Sequence, residues 1–118
     1  LGARFTVPER ADYLLFPALE GAHLPLLEGV SVGTLLYPDA SATLILGASF
    51  EGNLSLRLRG PGILLEENIA LRGHPAALWT LRNAKAHFPL GWDVILLEQA
   101  SKTARVMGLP RSSKIEVL

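Results

Sequence analysis

Ala42-Thr43-Leu44-Ile45-Leu46-Gly47-Ala48-Ser49 and Leu54-Ser55-Leu56-Arg57-Leu58-Arg59, separated by Phe50-Glu51-Gly52-Asn53, are the stretch whose reading decides the fold. The first run is apolar on both faces, as in a strand at the centre of a sheet. The second alternates. Leu54, Leu56 and Leu58 face one way while Ser55, Arg57 and Arg59 face the other, the period of a strand with one buried face. Glu51-Gly52-Asn53 carries turn chemistry, so the pattern predicts an antiparallel hairpin of Ala42–Ser49 with Leu54–Arg59. Gly60-Pro61-Gly62 stops the second strand.

Upstream, Ala11–Phe16 is a short apolar run ended by Pro17 and predicts a strand. Pro25 within Ala18–Val30 predicts a helix starting there, because proline is tolerated in a first turn. Gly33 and Pro38 mark a turn. Downstream, Pro75–His87 predicts a helix with Ala77, Leu81, Ala84 and Phe88 as its apolar stripe. Arg82, Lys85 and His87 lie in its last turns, where cations suit the helix dipole, and Pro89 stops it. Trp92–Leu97 predicts a buried strand, Gln99–Thr103 a polar turn, and Ala104–Leu109 a return strand paired with Trp92–Leu97. After Pro110, Ile115 and Val117 alternate with Lys114 and Glu116 in a short last strand. Strands and hairpins with few helices give a mixed-sheet α/β or α+β class, in a single domain spanning residues 1–118.

Composition narrows the function classes. Hydrophobic residues are 49% and charged residues 19%, an ordinary globular balance. Eleven basic residues oppose eleven acidic ones, so charge gives no reason to expect nucleic acid or an anionic membrane as partner. It also lowers self-repulsion, which favours association. There is no cysteine, which excludes disulfides, thiol catalysis and cysteine-ligated metal, and is compatible with a cytoplasmic location. No apolar run reaches the roughly 18 residues that span a bilayer, and no segment reads as a signal peptide.

The candidates for chemistry are few. His23, His74 and His87 make no close metal-ligand spacing and are expected on loops or helix ends, so no metal site is expected. Gly60-Pro61-Gly62 behind Arg57 and Arg59 can cradle an anion, or can be a plain turn. Asp93 interrupts an apolar run after Pro89-Leu90-Gly91-Trp92; it either accepts hydrogen bonds from nearby turn amides or serves a site. Arg111-Ser112-Ser113 offers a guanidinium and two hydroxyls to oxyanions, or is an exposed loop before the last strand. Gly60, Gly62, Asp93, Arg111, Ser112 and Ser113 are thus the candidate ligand-binding or partner-binding residues; no catalytic residue is assigned.

Four segments in order resemble the PhnH family. They are Ser41–Leu46, Leu56–Ile63, Phe88-Pro89-Leu90-Gly91-Trp92-Asp93-Val94-Ile95-Leu96 and Leu109-Pro110-Arg111-Ser112-Ser113-Lys114-Ile115-Glu116-Val117. The resemblance runs over essentially the whole chain and begins near Ala3-Arg4-Phe5. A family member has a further amino-terminal helix and strand, so the chain is expected to be the carboxyl-terminal portion of the pattern. Ser112-Ser113 stands where two threonines are usual, which keeps both hydroxyls, and Trp92 is bulkier than the usual aliphatic residue.

The resemblance implies a homodimer with a fold related to the pyridoxal-phosphate-dependent transferases but without that or any cofactor. It implies partnership with PhnG, PhnI and PhnJ in the carbon–phosphorus lyase core of phosphonate catabolism. There, with PhnG and PhnI, the subunit supports displacement of adenine from ATP by a phosphonate, giving a ribose 1-phosphonate 5-triphosphate, and it is expected to be inactive alone. The radical bond cleavage belongs to PhnJ and its iron–sulfur cluster, a division that agrees with the absence of cysteine here. Two other functions compete: a non-catalytic assembly module that stabilises PhnI, and an independent small enzyme using the anion contacts. Kinship of fold alone does not transfer activity.

Overall fold

Strand signals dominate the chain, and two sheets carry the fold. The computed structural model describes residues 4–99 and 103–118. Among these, strands β1 (Tyr13–Phe16), β2 (Thr43–Gly47), β5 (Asp93–Gln99) and β6 (Ala104–Leu109) form one sheet in the order β1-β2-β5-β6. Strands β3 (Ser49–Arg59), β4 (Glu67–Arg72) and β7 (Lys114–Val117) form a second, in the order β4-β3-β7. The first sheet is mixed: β1, β2 and β5 are parallel, and β6 returns antiparallel to β5. The second is antiparallel throughout. Two helices complete the elements, α1 (Leu24–Leu27) and α2 (Ala77–Lys85), with single 3-10 turns at Pro8–Arg10, Gly21–His23 and Pro38–Ala40. The class is α/β with mixed sheets. Among the described residues no helix is long and apolar enough to cross a membrane.

Much of the local reading holds. Tyr13–Phe16 is a strand, Pro25 sits in the first turn of α1, and Gly60-Pro61-Gly62 ends β3. Strands β5 and β6 pair, with Val94 opposite Leu109 and Leu97 opposite Val106. The polar turn expected at Gln99–Thr103 lies mostly outside the described residues.

The hairpin of Ala42–Ser49 with Leu54–Arg59 does not form. Strand β2 lies between β1 and β5, while β3 lies between β4 and β7 in the other sheet. Glu51-Gly52-Asn53 is inside β3, where the register with β4 moves from Ser49–Arg72 to Leu54–Leu71, so that several residues of β3 bulge against one step of β4. Gly52 serves close approach there rather than a turn. A Cβ on it would lie 2.3 Å from the Leu71 carbonyl oxygen and 2.6 Å from Arg72 Cβ. The chain passes from one sheet to the other across Ala48, and the intervening β3, β4 and α2 make the long crossover that parallel β2 and β5 require.

Helix α2 turns a different face inward from the one expected. Leu78, Trp79 and Arg82 are its buried residues; of the expected stripe Leu81 packs half-buried against the core, whereas Ala77 and Ala84 are exposed and Phe88, beyond the helix end, is 75% exposed. Area decides this. The indole of Trp79 has far more surface to remove from water than two alanines. Its N–H also finds an acceptor, His74 Nε2 at 2.8 Å.

One buried cluster joins the layers. Leu44, Leu46, Val94 and Leu96 come from the first sheet, Leu56, Leu58, Leu71 and Ile115 from the second, and Leu27, Leu78, Trp79 and Trp92 from the helices and loops. The opposite face of the first sheet is apolar and open. Leu15, Ile45 and Ile95 are in register across it, and Tyr13, Leu15 and Val106 are 70%, 64% and 65% exposed. Parallel strands usually have both faces covered.

Leu56 is fully buried in the middle strand of the second sheet. Leu56→Asp places an unpaired carboxylate in that core, and the expected outcome is loss of cooperative unfolding or a fall in stability of more than about 3 kcal/mol. Denaturant titration followed by Trp fluorescence checks it, since Trp79 and Trp92 share the same core.

Candidate functional site

The turn between β6 and β7 is tied down from three sides. Asp93 opens β5, and its Oδ1 accepts the Arg111 backbone N–H at 2.7 Å. Arg82, 2% exposed, donates from Nη2 to the Pro110 carbonyl at 3.0 Å and the Arg111 carbonyl at 3.3 Å, and from Nη1 to Asn83 Oδ1 at 3.1 Å. Asn83 Nδ2 in turn donates to the Ile115 carbonyl at 2.7 Å. The Arg111 guanidinium donates to Ser41 Oγ at 2.7 Å and to the Pro38 carbonyl. Burial lowers the Arg82 pKa, and the nearby Asp93 charge acts in the opposite sense.

The six candidate residues are therefore only partly assembled. Asp93 meets Arg111 through its backbone. Gly60 meets Ser112 and Ser113, since a Cβ on Gly60 would stand 3.1 Å from Ser113 Cα and 3.6 Å from the Ser112 carbonyl oxygen. With φ at 129°, Gly60 also needs a backbone that other residues rarely adopt. Gly62 stands apart, with no atom within 4 Å of where its Cβ would be. The Arg111 side chain turns toward Pro38 and Ser41, not toward Gly60–Gly62. Ser113 is 4% exposed, and its Oγ lacks a hydrogen-bond partner among the described residues. Beside this cluster runs a groove of about 300 Å³ lined by Arg82, Phe88, Arg111, Ser112, Ser113 and Lys114.

The arginines that precede the glycine turn are occupied. Arg59 pairs with Glu66 at 3.1 Å, and Arg57 pairs with Glu116 at 3.4 Å and Glu66 at 3.8 Å. Their charge is met by carboxylates of the same sheet region rather than left for an anion. The histidines also have local tasks. His23 Nδ1 accepts the Glu20 N–H at 2.9 Å, and His87 bridges Leu90 through the backbone. Among the described residues no group of three or more His, Asp or Glu is placed to hold a metal ion.

A larger feature escaped the sequence reading. At the ends of β1, β2 and β5 lies a cavity of about 800 Å³, lined by Leu15, Pro17, Gly47, Glu51, Arg72 and Arg105 among others. Glu98 stands in its wall. Glu98 Oε2 accepts the Phe50 N–H at 2.8 Å, and Oε1 accepts from Arg105 Nε at 2.7 Å and Nη2 at 2.5 Å. The Phe50 amide and then Arg105 hold the Glu98 carboxyl below its ordinary pKa. The Arg105 guanidinium also lies 5.2 Å from the centre of the Phe50 ring. Opposite charges seven residues apart across a predicted hairpin were the available signal for the Glu98–Arg105 pair. Arg72 had none, because β4 was not recognised.

The family described as "Bacterial phosphonate metabolism protein (PhnH)" matches residues 1–116. A protein of Rhizobium meliloti named alpha-D-ribose 1-methylphosphonate 5-triphosphate synthase subunit PhnH is 37% identical over 99 residues, covering 82% of this chain and 48% of that protein. A putative C-P lyase subunit protein HtxG of Stutzerimonas stutzeri is 35% identical over 120 residues, covering 99% of this chain and 57% of its own length. The chain spans about half the length of the curated relatives it matches.

His74 supplies a test of the packing between α2 and the loop before it. Its Nε2 accepts the Trp79 indole N–H, so the ring is neutral with its proton on Nδ1, and burial lowers its pKa from the ordinary 6.5. A depressed folded-state value makes stability full above the unfolded value and reduced as pH falls below it. The expected outcome is a loss of stability between pH 7 and pH 5 that is smaller in His74→Gln, whose amide oxygen still accepts the indole N–H. Urea midpoints across that range check it, and equal pH slopes for the two proteins contradict it.

Proposed function

Because this chain belongs to the PhnH family of bacterial phosphonate metabolism proteins, we propose that it works as a subunit of the carbon–phosphorus lyase core. In this role it supports, with PhnG and PhnI, the transfer of a phosphonate onto the ribose of ATP with release of adenine, ahead of the bond cleavage by PhnJ. It acts in the cytoplasm as a homodimer, carries no cofactor of its own, is related in fold to the pyridoxal-phosphate-dependent transferases, and is inactive alone. The observation that carries the proposal is the family match over residues 1–116, joined to 37% identity with a synthase subunit. The turn pair Gly60–Gly62 and Arg111–Ser113, braced by Asp93, meets an anionic group or a partner carboxylate. Its support is the contact of Gly60 with Ser112–Ser113 and the exposure of the Gly60–Gly62 backbone.

Two observations favour the second reading, a non-catalytic assembly subunit that stabilises PhnI. The Arg111 guanidinium is engaged with Ser41 and Pro38, which leaves fewer donors for a ligand. The open apolar face with Tyr13, Leu15 and Val106 is the kind of surface a partner or a second copy covers.

Arg111→Ala in the full-length protein, reconstituted with PhnG, PhnI and PhnJ, separates the readings. Phosphonate-dependent adenine release is expected to fall about tenfold, the loss of one charge-assisted contact, while the complex still assembles. Normal release with normal assembly removes the anion-site proposal. Lost assembly, in a variant whose melting temperature is close to that of the parent, assigns the residue to the partner interface. Light scattering on the parent protein at micromolar concentration tests the homodimer, and a strictly monomeric mass contradicts it.

A further inference from the structure

The cavity of about 800 Å³ is placed and furnished differently from the Arg111 cluster. It opens where β1, β2 and β5 end, with Pro17 and Gly47 just past or at the last residues of β1 and β2, and Leu97 and Glu98 near the end of β5. Open α/β sheets bind ligands in the crevice outside the carboxyl ends of their parallel strands. Asp93 and its turn lie at the other end of β5, which is the amino end.

Its cations are held in two different ways. Arg105 is fixed: Nε and Nη2 are both committed to Glu98 Oε1, and the Phe50 ring lies beside the guanidinium, which leaves Nη1 as the remaining donor nitrogen. Glu98 is itself fixed by the Phe50 N–H, so the carboxylate is a bracket for the arginine. Arg72 has no ion-pair partner among the described residues. The bulge in β3 sets Ser49 opposite Arg72 and brings Glu51 to the rim, and bulges of this kind often re-aim side chains beside binding sites. Gly47 lets the backbone of Pro17 close in beside it at the cavity wall, for a Cβ there would lie 2.1 Å from the Pro17 carbonyl oxygen. Leu15, Pro17 and Leu97 supply an apolar wall.

We propose that this cavity binds a tetrahedral phosphorus oxyanion with a small organic substituent, held by Arg72 and Arg105 and with the substituent against Leu15 and Leu97. Guanidinium forks match such oxyanions in shape and charge. Glu98 is a positioning residue that acts through Arg105. Glu51, exposed at the rim, opposes the ligand's charge. The choice of a phosphonate among such anions rests on the function proposed above, while the oxyanion chemistry rests on the cavity itself.

The test is titration of the full-length protein with methylphosphonate and, separately, with inorganic phosphate, followed by amide NMR and calorimetry. Methylphosphonate is expected to shift the amides of Ser49, Gly73 and Arg105 and to bind more tightly than phosphate, which lacks the substituent. Arg72→Ala is expected to weaken binding about tenfold, as the loss of a charge-assisted pair would. Glu51→Gln tightens binding. Glu98→Gln weakens it although the cavity becomes more positive, because Arg105 loses its bracket. The proposal is overturned if Arg72→Ala binds like the parent, if Glu98→Gln tightens binding as Glu51→Gln does, or if the shifts spare Ser49, Gly73 and Arg105 and fall on Ser112 and Ser113 alone. Amide spectra of each variant first establish that it is folded. Failure here leaves the subunit role intact if omitting the protein still abolishes adenine release by the complex. Binding that behaves as expected, together with release that does not need the protein, supports the cavity and removes the role.

Discussion

The carbonyls of Pro110 and Arg111 both end on one buried guanidinium, that of Arg82, and the arrangement of the two sheets depends on that contact. Arg82 lies on α2, the two carbonyls lie between β6 of the first sheet and β7 of the second, and Asn83 beside it reaches the Ile115 carbonyl within β7. From the far side Asp93 grips the same turn by the Arg111 N–H. Taking a charge out of water is costly unless its hydrogen bonds are replaced. Here the replacement acceptors are two backbone carbonyls of the turn: that of Pro110, which also accepts the Ser113 N–H at 2.9 Å, and that of Arg111. The apolar cluster supplies the bulk of the cohesion but has no direction. The Arg82 contacts give that cohesion its geometry.

Strand positions were legible in the sequence because period-two alternation survives any tertiary arrangement. Leu54, Leu56 and Leu58 lie on one face whether β3 pairs with β2 or with β4. Partner choice was not legible. Gly52 is equally at home in a turn or in a bulge that presses against Leu71, and only the crossing strand distinguishes the two. Strand β4 was hidden for a related reason. Of its residues Leu71 is fully buried and Glu67, Asn68 and Arg72 are exposed, so it lacks the apolar alternation by which a strand is recognised. The face of α2 was not legible because its inward side carries an arginine, and arginine is usually buried only when paired.

The site was half legible. Asp93 in an apolar run and Arg111 after a proline were visible as anomalies, and the two do meet. They meet through a backbone amide, and the guanidinium serves Ser41 and Pro38, 70 and 73 residues away in sequence, which no local pattern shows. The cavity at the carboxyl ends of the parallel strands was invisible, because its walls come from β1, β2, β3, β4, β5 and β6 and no local motif spans them. Membership of a family was legible where local chemistry was silent, since the resemblance draws on positions across residues 1–116.

The two sheets dock through the coupled grip of Arg82 and Asp93 on the Pro110–Ser113 turn. A double-mutant cycle with Arg82→Met and Asp93→Asn, measured by equilibrium denaturation, tests this most directly. A coupling energy of at least about 1 kcal/mol is predicted, because each residue holds the turn in the place where the other binds it. Effects that add to within about 0.5 kcal/mol contradict the account, since they mean the two side chains act on the turn independently.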